Sequence, residues 1–184
     1  MGTWLKNLWK WLQLRQAGIS FIIPLPSFYK NEDDMVKPSQ PSDFDEEKIP
    51  DVAFSCDFKT GHIELIKRFL TLHDEYRREY PSRRLAATCV YRSPTEQKRL
   101  FQKGRFGNAE PRVTNCDGET KLSNHNRWPA RALDIVVIDG GKGSYREELY
   151  WPLVALANKH GLVSGGSWDG FKDFPHLELP KDVV

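Results

Sequence analysis

The sequence contains no apolar run approaching the roughly 20 residues that a membrane-spanning helix needs, so it offers no candidate span. Cysteine is scarce. Cys56, Cys89 and Cys116 are odd in number and have no C-x-x-C spacing, which argues against a disulfide framework and against a cysteine-rich metal knuckle; Cys116 in particular has no partner cysteine nearby. A reducing compartment during synthesis fits this usage. Charge of one sign is also lacking: 27 basic against 25 acidic residues leave a net charge of +2, too little to mark a nucleic-acid binder. No internal repeat is present. The start carries no secretory pattern, because Lys6, Lys10 and Arg15 interrupt any hydrophobic core and no A-x-A site follows. What remains is an ordinary globular composition, 39% hydrophobic and 28% charged, over 184 residues, enough for one domain with a buried core.

The chain divides unevenly. Residues 1–16 place Trp4, Leu5, Leu8, Trp9, Trp11 and Leu12 on one side of a helix, with Lys6, Asn7, Lys10 and Gln13 opposite. Such a helix suits either a peripheral membrane contact or docking on a protein surface. Residues 31–50 hold seven acidic residues and three prolines and read as a solvated linker. The expected organisation is therefore an amphipathic helix plus acidic linker over 1–50 and a globular domain over 51–184.

Within that domain, apolar spacing from Ile63 through Ile66, Phe69, Leu70, His73 and Tyr76 predicts a helix over about 61–80. Residues 86–91 read as a short strand. Ser93-Pro94-x-Glu96 supplies an N-cap, a first-turn proline and an acid, which start a second helix. Leu133–Ile138 is an apolar, β-branched run ended by Asp-Gly-Gly, hence a buried strand. A helix over 145–160 stopping at Gly161 and a last strand near 175–179 complete an α+β fold with a small antiparallel sheet.

Two segments carry donor side chains. Ser123-Asn124-His125 precedes Ala132-Leu133-Asp134, and Gly165-Gly166-Ser167-Trp168 precedes Asp173-Phe174-Pro175-His176-Leu177-Glu178. Two imidazoles and a carboxylate suit a borderline ion such as zinc, leaving a fourth position open for water. Asp173, three residues before His176, can reach that position without being a ligand. His62, His73 and His160 are read instead as helix-face or helix-end histidines.

Taken in order, these segments resemble the zinc D-Ala-D-Ala carboxypeptidase and L-alanyl-D-glutamate endopeptidase family, which includes many phage endolysins. The match runs through Tyr91-Arg92-Ser93, Gln97, Gly104-Arg105, Val113-Thr114-Asn115, SNHNRWPARALD, GGSW and DFPHLE, over roughly residues 60–180. The resemblance implies zinc ligands His125, Asp134 and His176, Asp173 as general base, and Arg92 as the arginine that contacts substrate and stabilises the tetrahedral intermediate. Ser123 and Trp168 fall where substrate contacts are expected, Trp168 either lining the cleft or packing beneath the metal strands. Glu178 is read as orienting His125 or His176 rather than binding metal.

This chain departs from the family pattern twice. Eight residues, including Trp128-Pro129, separate His125 from Asp134 where six are commoner, and position 173 is aspartate where glutamate also occurs. The expected activity is hydrolysis of a peptidoglycan stem peptide, preferably at L-alanyl-D-glutamate. A D-alanyl-D-alanine carboxypeptidase or dipeptidase is the alternative, and a non-catalytic wall-binding module the alternative of another class. Without a signal peptide, the expected setting is a cytoplasmically made enzyme acting on the wall, released by a phage pore protein or used in bacterial wall remodelling.

Overall fold

A computed structural model describes residues 22–23, 49 and 51–183, so the helix expected over residues 1–16 and most of the acidic linker lie outside the described residues. In chain order the regular elements are β1 (Ile22–Ile23), β2 (Phe54–Ser55), α1 (Ile63–Glu79), β3 (Arg83–Cys89), β4 (Tyr91–Arg92) and α2 (Pro94–Phe101). They continue with β5 (Ala132–Asp139), β6 (Lys142–Ser144), α3 (Trp151–Lys159), β7 (Val163–Ser164) and β8 (His176–Glu178). The fold is α+β. One six-stranded antiparallel sheet is joined by a two-stranded ribbon of β2 and β4.

β5 is the hub of the sheet. One edge pairs with β3 along its length; the other pairs with β8 at the start and with β6 at the end. A strand buried on both faces should be apolar nearly throughout, and the Leu133–Ile138 run is. Its odd positions, Leu133, Ile135 and Val137, enter the main core with Leu65, Phe69 and Tyr76 of α1 and Leu153 of α3. Its even positions turn the other way, where Val136 and Ile138 meet Ala86 and Tyr145. Asp134 is the second even position of the strand, after Ala132, so the strand's own alternation turns it away from the main core.

Several boundaries differ from the sequence reading. The strand expected over 86–91 begins earlier, at Arg83, and breaks before Tyr91, because its register against β5 shifts between Ala87 and Cys89. The helix expected over 145–160 is split into a 3-10 turn, Glu147–Leu149, and α3. Pro152 explains the split: it lacks an N–H and crowds the residue before it, so it is accommodated only in the first turn of a new helix. Gly161 stops α3 as expected, with φ +69°. The other histidines behave as the sequence suggests. The Nδ1 of His62 caps α1 by accepting from the Glu64 N–H at 3.2 Å, and His160 pairs with Glu75 at 2.9 Å.

His73 is fully buried in α1, and neither ring nitrogen has a hydrogen-bond partner. Burial lowers its pKa to about 4, with Arg77 and Arg84 acting in the same sense and Asp74, 3.8 Å away, opposing. The folded state thus keeps the ring neutral while the unfolded chain takes up a proton below about 6.5. Stability contributed by the neutral ring is present above that value and is lost as pH falls from about 6.5 to about 4, by about 3 kcal/mol in full. His73→Leu is expected to flatten that loss. Urea unfolding in chelator at pH 7.5 and pH 5 measures it, and equal pH slopes in both proteins would count against the buried-imidazole account.

Candidate metal centre

Three chain segments converge above the start of β5. Asp134 stands directly opposite His176 in the β5–β8 ladder and opposite Cys89 in the β3–β5 ladder. Opposed residues of antiparallel strands project on the same face, so both neighbours point toward the Asp134 carboxylate. The register shift in β3 re-aims Cys89 to that face. His125 arrives on a 3-10 turn, Asn124–Asn126, whose start is capped by Ser123: its Oγ accepts from the His125 N–H, and the Ser123 N–H donates to Asn126 Oδ1.

The eight-residue connection from His125 to Asp134 closes despite its length. The Arg131 N–H donates to the Asn124 carbonyl at 2.8 Å, the Ala130 N–H to Thr60 at 2.9 Å, and the His62 N–H to Ala130 at 2.8 Å. Trp128, preceding Pro129 through a cis peptide bond, packs edge-on against Tyr91. The longer loop is therefore anchored on the start of α1, and Asp134 reaches the same point as the two imidazoles.

His125 Nε2, His176 Nδ1 and Asp134 Oδ1 form a nearly equilateral triangle: 3.2 Å between the imidazoles, 3.2 Å from His125 to Asp134 and 3.1 Å from His176 to Asp134. Ligand atoms about 2.0–2.1 Å from a tetrahedral ion stand about 3.3 Å apart, so the triangle fits one face of such a coordination shell. The other ring nitrogens are already engaged, His125 Nδ1 with the Val90 carbonyl at 2.9 Å and His176 Nε2 with Glu178 at 3.1 Å. Donating those protons outward leaves the inward nitrogens as electron-pair donors, the arrangement metal-binding histidines need.

Electrostatics follow the same geometry. Burial disfavours charge on His125, but Asp134 and Cys89 outweigh it and hold the ring up to about 10. Burial likewise opposes the charged His176 ring, and hydrogen bonds to Asp134 and Glu178 raise it to about 9. Against its own burial, Asp134 is held well below the usual carboxylate range, by His125 first and then His176. The Asp134 carboxylate thus draws positive charge to this point, which ring protons or a bound cation could supply.

Cys89 was not singled out from the sequence as a donor, yet its sulfur and the donor atoms of His125 and Asp134 all lie within 4.8 Å of one another. Only the strand register could have revealed it. Cys116 is elsewhere in the cleft wall; its carbonyl accepts from the Gln97 amide.

Arg92 sits beside the triangle and is tightly held. It donates to Gln97 Oε1 at 3.0 Å, Asp134 Oδ2 at 3.4 Å and Cys89 Sγ at 3.7 Å. Gln97 is in turn fixed by donating to Thr114 and the Cys116 carbonyl. Asp134 thus splits its carboxylate, one oxygen toward the imidazoles and one toward Arg92.

Asp173 reaches the site through a tight turn. Its N–H donates to the Gly165 carbonyl at 2.9 Å, and its own carbonyl accepts from the His176 N–H at 3.0 Å. A side chain at Gly165 would place its Cβ 2.3 Å from the Asp173 carbonyl oxygen, which explains glycine there. Trp168 follows and stacks obliquely on His176, centroids 5.0 Å apart, so it both supports a donor and borders open space. Asp173, Trp168, Ser123, Arg92 and the three donors all line one cleft of about 1300 Å³.

Residues 117–179, a stretch holding both donor segments, match a family model described as D-alanyl-D-alanine carboxypeptidase. Among solved structures, the fold is similar to that of the Serratia marcescens L-Ala D-Glu endopeptidase ChiX, with a TM-score of 0.51 and 19% sequence identity. That alignment covers 74% of this chain and 93% of the other, a likeness of fold. The family-model match supports the resemblance to the zinc D-Ala-D-Ala carboxypeptidase and L-alanyl-D-glutamate endopeptidase family, and the structural likeness is one of fold.

Proposed function

We propose that this chain is a zinc metallopeptidase that hydrolyses the peptidoglycan stem peptide, with L-alanyl-D-glutamate as the preferred bond. The observation that carries the reading is the donor triangle of His125, Asp134 and His176 opening into a cleft that also holds Asp173 and Arg92. Zinc bound there would supply Lewis acidity, polarising the scissile carbonyl and acidifying the attacking water. The protein's own groups do the rest. Asp173 takes the proton from the attacking water and delivers it to the leaving amine nitrogen. Arg92 uses three of its five N–H donors to stay fixed, which leaves donor capacity for the oxyanion that develops on the carbonyl oxygen. Its position is set before the reaction, so little reorganisation is needed when charge appears. Trp168 and Ser123 border the substrate path.

The cleft wall supports an anionic peptide as substrate. Arg112, Lys121 and Arg127 line it, beside Arg99 and Lys103, which are paired with Glu96 and Glu110; a stem peptide bearing D-glutamate would present carboxylates to the first three. The choice of bond leans on the fold likeness to ChiX, an L-Ala D-Glu endopeptidase; the match to the D-alanyl-D-alanine carboxypeptidase family favours the alternative. The place of action follows from the substrate: the cell wall, reached through phage release or during bacterial wall remodelling.

Zinc-loaded protein incubated with purified muropeptides is expected to expose a new D-glutamyl N-terminus, identified by mass spectrometry. Release of free D-alanine alone would transfer the assignment to the carboxypeptidase. Intact muropeptides after prolonged digestion would remove the peptidase reading and leave a wall-binding module.

A further inference from the structure

Asn124 sits beside His125 on the same 3-10 turn but is not itself one of the three donors. Its backbone carbonyl closes the His125–Asp134 loop by accepting from the Arg131 N–H, and its Oδ1 accepts from Arg127 Nε at 3.1 Å. Its Nδ2 donates to Glu178 Oε2 at 2.7 Å. That same carboxylate oxygen meets His176 Nε2 at 3.1 Å. Glu178 is partly buried and on β8, 54 positions along the chain from Asn124, so this is a polar side-chain tie between the His125 turn and the His176 strand, beside the direct contact of the two imidazoles.

We propose, building on the zinc reading, that Asn124 is a positioning residue: through Glu178 it sets the ring orientation and donor strength of His176. A carboxylate two residues along a strand has several rotamers, and only one brings Oε2 to the imidazole. The amide of Asn124 selects that rotamer by supplying a second donor to the same oxygen. The oxygen then accepts the Nε2 proton, which fixes the tautomer and leaves Nδ1 facing His125 and Asp134. Arg127 holds the amide the right way round, because its guanidinium can only donate and so must meet Oδ1, turning Nδ2 toward Glu178. One short side chain thereby keeps both imidazoles in register.

The test measures zinc affinity by chelator competition on the full chain, with circular dichroism reporting the fold, and does not depend on turnover. Asn124→Ala is expected to weaken zinc binding about tenfold, in the range that supporting partners of metal ligands usually show. Asn124→Asp, nearly isosteric and so still folded, is expected to weaken it more, because two carboxylates then face each other. Glu178→Ala should also weaken binding, and adding Asn124→Ala to it should change affinity less than about twofold, since the path is already cut. Multiplying single effects, or an Asn124→Asp protein with wild-type affinity, would overturn the proposal while leaving the zinc site standing. A wild-type chain that binds no zinc would instead remove the zinc reading on which the proposal rests.

Discussion

Asp173→Asn is expected to retain about one zinc per chain and to lose hydrolysis by about a hundred- to ten-thousand-fold, the usual worth of a positioned general acid–base. Asparagine matches aspartate in shape and keeps the Asp173 N–H and carbonyl that form the turn with Gly165 and His176. Nothing in the donor triangle is altered by the exchange, so metal content and fold should be unchanged. What is lost is a group able to accept a proton from water and return it to the leaving nitrogen. Elemental analysis of the purified variant and its initial rate on muropeptides are the two readouts. A variant with full activity would show that Asp173 is not the base; a variant that also lost zinc would make it a ligand instead.

Much of the core was legible in the sequence because its signals are local. The α1 period, the Ser93-Pro94 cap and the β-branched run of β5 each specify an element from neighbours a few residues apart, and each is found within a few residues of where it was read. The split before α3 was missed although Pro152 announces it, since the apolar spacing from Tyr145 onward runs across the break. β6 and β7 were missed for another reason. Lys142–Ser144 and Val163–Ser164 are too short to show alternation, and pairing with β5 and β8 alone makes them strands.

The candidate site divides the same way. His125, Asp134, Asp173 and His176 were found because ordered motifs mark them, and the structure gathers them into one cleft. The two extra residues before Asp134 are accommodated in space, because Ala130 and Arg131 dock the loop against Thr60 and Asn124. Cys89 could not be found, since its nearness to Asp134 depends on a register shift between strands. Ser123 was read as a substrate contact; its hydroxyl is seen capping the turn that carries His125, while the residue still borders the cleft. Side chains that act through a partner on another strand leave no periodic trace.

His176→Ala has the largest expected effect on the metal itself. It removes one corner of the triangle and leaves His125 and Asp134, two donors where a catalytic zinc site needs three. It also leaves Glu178 and Trp168 without the ring that each contacts. Zinc content is expected to fall from about one per chain to below about a tenth, and hydrolysis to vanish with it. Stability should change in a diagnostic way. Zinc at about a thousand times its dissociation constant stabilises a folded protein by about 4 kcal/mol, so chelator should lower the melting temperature of the wild type. The variant should melt at one temperature with or without chelator, and metal should no longer shift it. Because zinc competes with protons for His125 and His176, held at about 10 and about 9, wild-type stabilisation by zinc should also weaken as pH falls. Asp173→Asn should follow the wild type in every one of these melts, which separates loss of the metal from loss of the base. If His176→Ala kept its zinc and its chelator response, the ligand set would have to be redrawn around Cys89, His125 and Asp134, the other donors that the sheet brings within 4.8 Å.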